Sequence, residues 1–245
     1  MMSYTKILAL ILAFLLGACA TKLPVTTPID TLFFYAGERP NPTLIVLLPG
    51  IGDRPETFQQ EGFVKAVRDR NIAADLVAVR AHYGYYQERK IIERLHQDVI
   101  LPAREKGYRN IWLMGISLGG WGSVLYAQQH QQAINGMLLL APFLGERKVF
   151  DEILAAGGLD AWRPATVHPD DDQRLGLAWL ADFKQSEASL KLHLGYGASD
   201  RFAKPNGLIG ARLPVDQVQV IPGGHDWRTW LKLWQGFLDR GALGT

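Results

Sequence analysis

"NIWLMGISLGGWG" (residues 110–122) holds one serine, Ser117, framed by Gly115 and Gly119, with an apolar run before it and more glycines after it. A serine in an open loop needs no such frame. One forced onto a cramped turn between a strand and a helix does, because strained backbone pushes its hydroxyl outward while the flanking elements pack closely. Gly-x-Ser-x-Gly at the junction of an apolar strand and a helix is the setting such a nucleophile requires.

The surroundings repeat one rhythm. "TLIVLLPG" (43–50) and "ADLVAVRA" (74–81) are continuous apolar runs, as expected of strands buried on both faces of a parallel sheet. Between them, residues 55–71 carry Phe58, Phe63, Val64 and Val67 at helical spacing. Residues 86–107 read as a second amphipathic helix, 110–115 as a third strand, the stretch after Ser117 as a third helix, and 134–143 as a fourth strand. Residues 190–197 and 216–223 supply two more strands, and 227–241 a closing helix. Alternation of this kind predicts an α/β fold with a mostly parallel, doubly wound sheet flanked by helices. Residues 144–189 break the rhythm with two apparent helices and no strand, which predicts a small helical lid inserted over one edge.

A chain of 245 residues, 48% hydrophobic and with a formal charge of +2, suits one domain, here 41–245. Acids and bases are intermixed without a basic run, which argues against a nucleic-acid partner. The single cysteine, Cys19, excludes an intrachain disulfide and a cysteine-based metal cluster. It closes a leader in which Lys6 precedes an apolar run from Ile7 to Leu16, too short to cross a bilayer and laid out as a secretory signal. "LLGAC" resembles the lipobox of bacterial lipoproteins. That resemblance implies removal of residues 1–18, acylation of Cys19, and a protein held by lipid to the bacterial cell envelope, at the outer membrane in a Gram-negative cell. Residues 19–40 then form a tether running into a first strand.

A serine hydroxyl is a weak nucleophile and needs an imidazole to take its proton and a carboxylate to orient that imidazole. His225, in "IPGGHDW" after the last strand, is the expected base. Asp200, in "GYGASDRF" after the strand at 190–197, is the expected acid. Its rivals are Asp226 beside the base, and Glu146 and Asp151 after the fourth strand. Of the other histidines, His96, His130, His168 and His193 read as structural.

The order Ser117, Asp200, His225 resembles the α/β-hydrolase superfamily over residues 43–240. "LLPGIGDRPETF" (47–58) is similar to the "HGxGD" segment of phospholipase/carboxylesterase-type serine esterases, with Pro49 where histidine is usual. The resemblance implies an oxyanion hole built from the Ile51 and Leu118 amides, and hydrolysis of carboxylic esters or thioesters through an acyl-enzyme. The expected partner is a small-molecule or lipid ester. Alternatives with the same residues are an acyltransferase, a peptidase, or an inactive binding protein in the envelope. His82, Trp162 and Trp179 are candidate substrate-lining residues. Asp170, Asp171 and Asp172 read as a helix cap, and neither a metal nor a cofactor is implied.

Overall fold

The computed structural model describes residues 23–38, 41–164, 166–185 and 189–244. The leader and Cys19 lie outside them. Alternate residues of the central strands face opposite cores. In β2 (Thr43–Leu48), Leu44, Val46 and Leu48 join one buried cluster, and Ile45 and Leu47 the other. In β4 (Asn110–Ile116), Ile111 and Leu113 face the first cluster, and Trp112, Met114 and Ile116 the second. A strand's two-residue period with both faces covered is why these segments are apolar throughout.

The other strands are β1 (Thr31–Phe34), β3 (Ala74–Val79), β5 (Gly136–Leu140), β6 (Lys191–Gly197) and β7 (Val218–Ile221). The sheet runs β1-β3-β2-β4-β5-β6-β7, with every pairing parallel except β1 against β3. The strand order turns at β2, β3 and β4, so the loops after β2 and β4 meet at one edge of the sheet.

Helices α1 (Thr57–Gln60), α2 (Phe63–Asp69) and α10 (Trp227–Asp239) cover the second cluster through Phe58, Phe63, Trp234 and Phe237. The first is covered by α3 (Tyr83–Gln87), α4 (Ile91–Arg94), a π-helical segment (Leu95–Ile100), α5 (Leu101–Glu105) and α6 (Leu118–His130). The insertion forms α7 (Arg147–Ala155) and α8 (Asp172–Asp182), and Asp171 caps α8 by accepting the Arg174 N–H at 3.0 Å.

Three expectations need correction. The helix over 55–71 is two helices, parted at Gly62, whose φ of 84° no other residue adopts cheaply. The helix over 86–107 is broken at Arg89 (φ 55°), so Tyr83–Gln87 is a separate turn. A helix not expected, α9 (Ala203–Gly210), lies between β6 and β7 and buries Ile209.

Asp75 ties the antiparallel edge to the rest. It is fully buried, and its carboxylate accepts the N–H of Ala36 (2.8 Å) and Asn41 (3.1 Å), the Asn41 amide (2.8 Å) and the Tyr108 hydroxyl (2.9 Å). Burial alone would raise its pKa, but these donors outweigh it and hold the carboxyl below its usual range.

Candidate active site

Ser117 joins β4 to α6 with φ 51° and ψ −113°, outside the conformations open to most L-residues. Its neighbours leave it little choice. Its N–H donates to the Leu140 carbonyl (3.0 Å), and its own carbonyl accepts the N–H of Phe143 (2.9 Å) and Trp121 (3.2 Å). A Cβ on Gly115 would run into the Gly119 backbone, one on Gly119 into the Leu48 carbonyl, and one on Gly120 would come within 2.8 Å of Pro142. The glycines therefore let strand and helix pack around a bent serine.

The His225 ring spans two partners. Its Nε2 lies 3.0 Å from Ser117 Oγ, and its Nδ1 lies 2.8 Å from Asp200 Oδ2. An ionised carboxylate only accepts, so Nδ1 holds the proton and Nε2 turns a lone pair toward the serine. The Asp200 carboxylate is fully buried, and its Oδ1 accepts the Phe202 N–H at 2.7 Å. Phe202 and Trp230 stand edge-on to the imidazole at 5.0 and 4.9 Å and restrict its rotation. Backbone closeness fixes the spacing of the two loops, since a Cβ on Gly197 would strike the Gly223 backbone.

The rival acids are elsewhere. Asp226 caps α10, accepting the Thr229 N–H (2.9 Å) and hydroxyl (3.1 Å). Glu146 and Asp151 are exposed and pair with Lys148 and Arg147.

Leu118 is the first residue of α6, so its N–H has no carbonyl within the helix and sits at the positive end of the dipole. Ile51 lies in the turn after Gly50 with its side chain exposed. Among the described residues neither amide donates to a backbone carbonyl, which leaves both able to serve an incoming oxygen. Pro49, buried, contributes its carbonyl to the packing over Gly119.

Two cavities flank the elbow. One of about 360 Å³ holds Ser117 and His225 together with Gly50, Ile51, Asp53, Arg201 and Trp230. The other, of about 630 Å³, begins at Leu118 and Phe143 and runs past Tyr86 and Trp121 to His96 and His130, with Asp172 and Gln173 of α8 on its rim. The insertion thus borders the larger cavity.

Neither cavity is lined by His82, Trp162 or Trp179. His82 caps α3, its Nδ1 accepting the Gly84 N–H at 3.2 Å, and its neighbour Tyr83 reaches the cavity instead. Trp162 is buried in the first core cluster and Trp179 packs on Phe183 at 5.3 Å, so both serve the interior of the insertion. Asp53 and Arg201 escaped the sequence reading, although each adjoins a quoted motif. Asp53 accepts the Trp227 Nε1–H at 3.4 Å. Burial raises its pKa, while that bond and the nearby His225 pull against the rise.

A sequence profile described as the alpha/beta hydrolase family matches residues 45–242. No curated protein gives a significant sequence match. Among solved structures, the chain is similar to a ferulic acid esterase (18% identity, 85% of this chain and 87% of that one, TM-score 0.58). It is also similar to the fluorophosphonate-binding serine hydrolase F of Staphylococcus aureus (15%, 89% and 92%, TM-score 0.56). A third is the monoacylglycerol lipase of Paleococcus ferrophilus (14%, 88% and 98%, TM-score 0.51). At such identities the likeness is one of fold.

Proposed function

The chain belongs to the alpha/beta hydrolase family, and we propose that it is a serine hydrolase cleaving carboxylic esters or thioesters through an acyl-enzyme on Ser117. The observation that carries this reading is the unbroken hydrogen-bonded line from Asp200 through His225 to Ser117 Oγ. That the similar structures include an esterase and a lipase by name agrees with it.

In the first half-reaction Ser117 Oγ attacks the acyl carbon as His225 Nε2 takes the hydroxyl proton. The Asp200 carboxylate stabilises the imidazolium so formed, and the Ile51 and Leu118 amides receive the negative carbonyl oxygen. Collapse expels the alcohol or thiol, which leaves with the proton returned from Nε2. Water then repeats the sequence on the acyl-serine, with His225 again as base, and releases the acid. An enzyme of this kind turning over p-nitrophenyl acetate releases a first equivalent of nitrophenol faster than the steady state when deacylation is slow, and mass spectrometry of the quenched protein finds Ser117 acetylated. Turnover without any acyl-Ser117 under rapid quench contradicts the covalent route.

The protein is also proposed to be a lipoprotein anchored through acylated Cys19, on the sequence "LLGAC". Thr26 already bonds the Tyr85 hydroxyl and Ile29 is buried in the core, so only a short segment after Cys19 would separate the folded domain from a membrane.

A further inference from the structure

Arg201 lines the cavity of Ser117 and His225, yet the reaction above gives it no task. The other charged side chains there are already engaged. Asp226 is spent on Thr229 as a helix cap, and Asp53 accepts the Trp227 indole N–H. Arg201 has no carboxylate partner among the described residues; its guanidinium lies over the Phe202 ring, 4.9 Å from the centroid. Phe202 is in turn the ring set edge-on to His225. The exposed Arg201 thus has its head held by a cation–π contact on the residue that also braces the imidazole, and it follows Asp200 directly in the chain. Arg54 and Arg228, which adjoin the cavity residues Asp53 and Trp227 in the chain, likewise make no ion pair among the described residues.

We propose that Arg201 binds an anionic group, a carboxylate or a phosphate, carried by the ester substrate, so that the enzyme selects esters charged near the scissile bond. The inference rests on the hydrolase reading above. A guanidinium presents planar paired donors that match both anions and keeps its charge whichever of them it meets. Salt weakens an ion pair of this kind at an exposed guanidinium.

Two matched pairs of esters test this by pH-stat titration: monoethyl glutarate against ethyl pentanoate, and acetylglycerol phosphate against monoacetin. In at least one pair the anionic member should have the higher kcat/KM by about tenfold, the size of one charge-assisted hydrogen bond. The pair that shows it tells carboxylate from phosphate. The advantage should shrink in about 0.5 M salt. In Arg201→Gln the ratio should collapse to about one through a rise in KM for the anionic ester, while Arg201→Lys retains part of it. Labelling of Ser117 by a fluorophosphonate, run on the same preparations, separates the two claims. A labelled wild-type protein with ratios near one in both pairs, or a ratio that survives Arg201→Gln, overturns the anion site alone. A protein that neither labels nor hydrolyses any of the four esters overturns the hydrolase reading, and the anion site with it.

Discussion

Gly119 stands directly beneath the backbone carbonyl of Leu48, with no room between them for a methyl group. Both atoms belong to main chain, so neither can swing aside as a side chain would. Gly119→Ala should therefore force β2 and α6 apart and cost about 3 kcal/mol. Denaturant midpoints of the two proteins measure this. An unchanged midpoint means that the elbow is looser than described.

Asp200→Asn keeps an oxygen to accept the Phe202 N–H, so the loop should hold its shape. The amide no longer demands a proton on His225 Nδ1, and the imidazole loses its preferred tautomer. Turnover of p-nitrophenyl acetate should fall by about a hundredfold to ten-thousandfold at little cost in melting temperature. Retained activity, with loss in Glu146→Gln or Asp151→Asn instead, would move the acid to the segment after β5 that enters α7.

Stability should decline with acid in two stages. His193, buried in β6 between Trp112 and Phe237, has its pKa lowered to about 4, chiefly by burial. The folded protein then resists a proton that the unfolded chain accepts near pH 6.5, so the stability this confers is complete above that value and is lost as pH falls toward 4. His193→Phe should remove roughly 2 kcal/mol of that acid dependence. Asp75, its carboxyl held below the usual range by its donors, acts lower. Its contribution is present above the ordinary carboxylate pKa of about 3.9 and goes as pH drops through the depressed folded value. Denaturation followed from pH 8 to pH 2 checks both; a His193→Phe profile parallel to the wild type contradicts the first.

Cys19→Ser should leave the protein unprocessed or soluble, without lipid. Fractionation with globomycin-free and detergent-phase controls reads this out, and a mutant still carrying a lipid-modified cleaved end contradicts the anchor.

The strands were legible because burial on both faces writes an unmistakable apolar run, as in "TLIVLL" and "ADLVAV". Ser117, Asp200 and His225 stand out as candidates because each follows a strand at the same edge of the sheet. Breaks set by single backbone angles, at Gly62 and Arg89, carry little signal, since an amphipathic pattern continues across them. Helix α9, "AKPNGLIG", contains one proline and two glycines and reads as loop; it forms as Ile209 packs into the core. The tryptophans of the insertion showed that something large is packed there, but periodicity does not say which face meets substrate. No sequence pattern marks Arg201, whose distinction is the placement of its guanidinium over Phe202.

The central claim is that Ser117 is an activated nucleophile, and covalent labelling by a fluorophosphonate tests it most directly, without knowledge of the substrate. Attack on phosphorus needs a serine whose proton has somewhere to go, which is the arrangement of Ser117 and His225 at 3.0 Å. Mass spectrometry of the labelled protein should place one adduct on Ser117, absent in Ser117→Ala and nearly absent in a folded His225→Ala. A well-folded wild-type protein that takes up no label, or takes it up on another residue, would contradict the account.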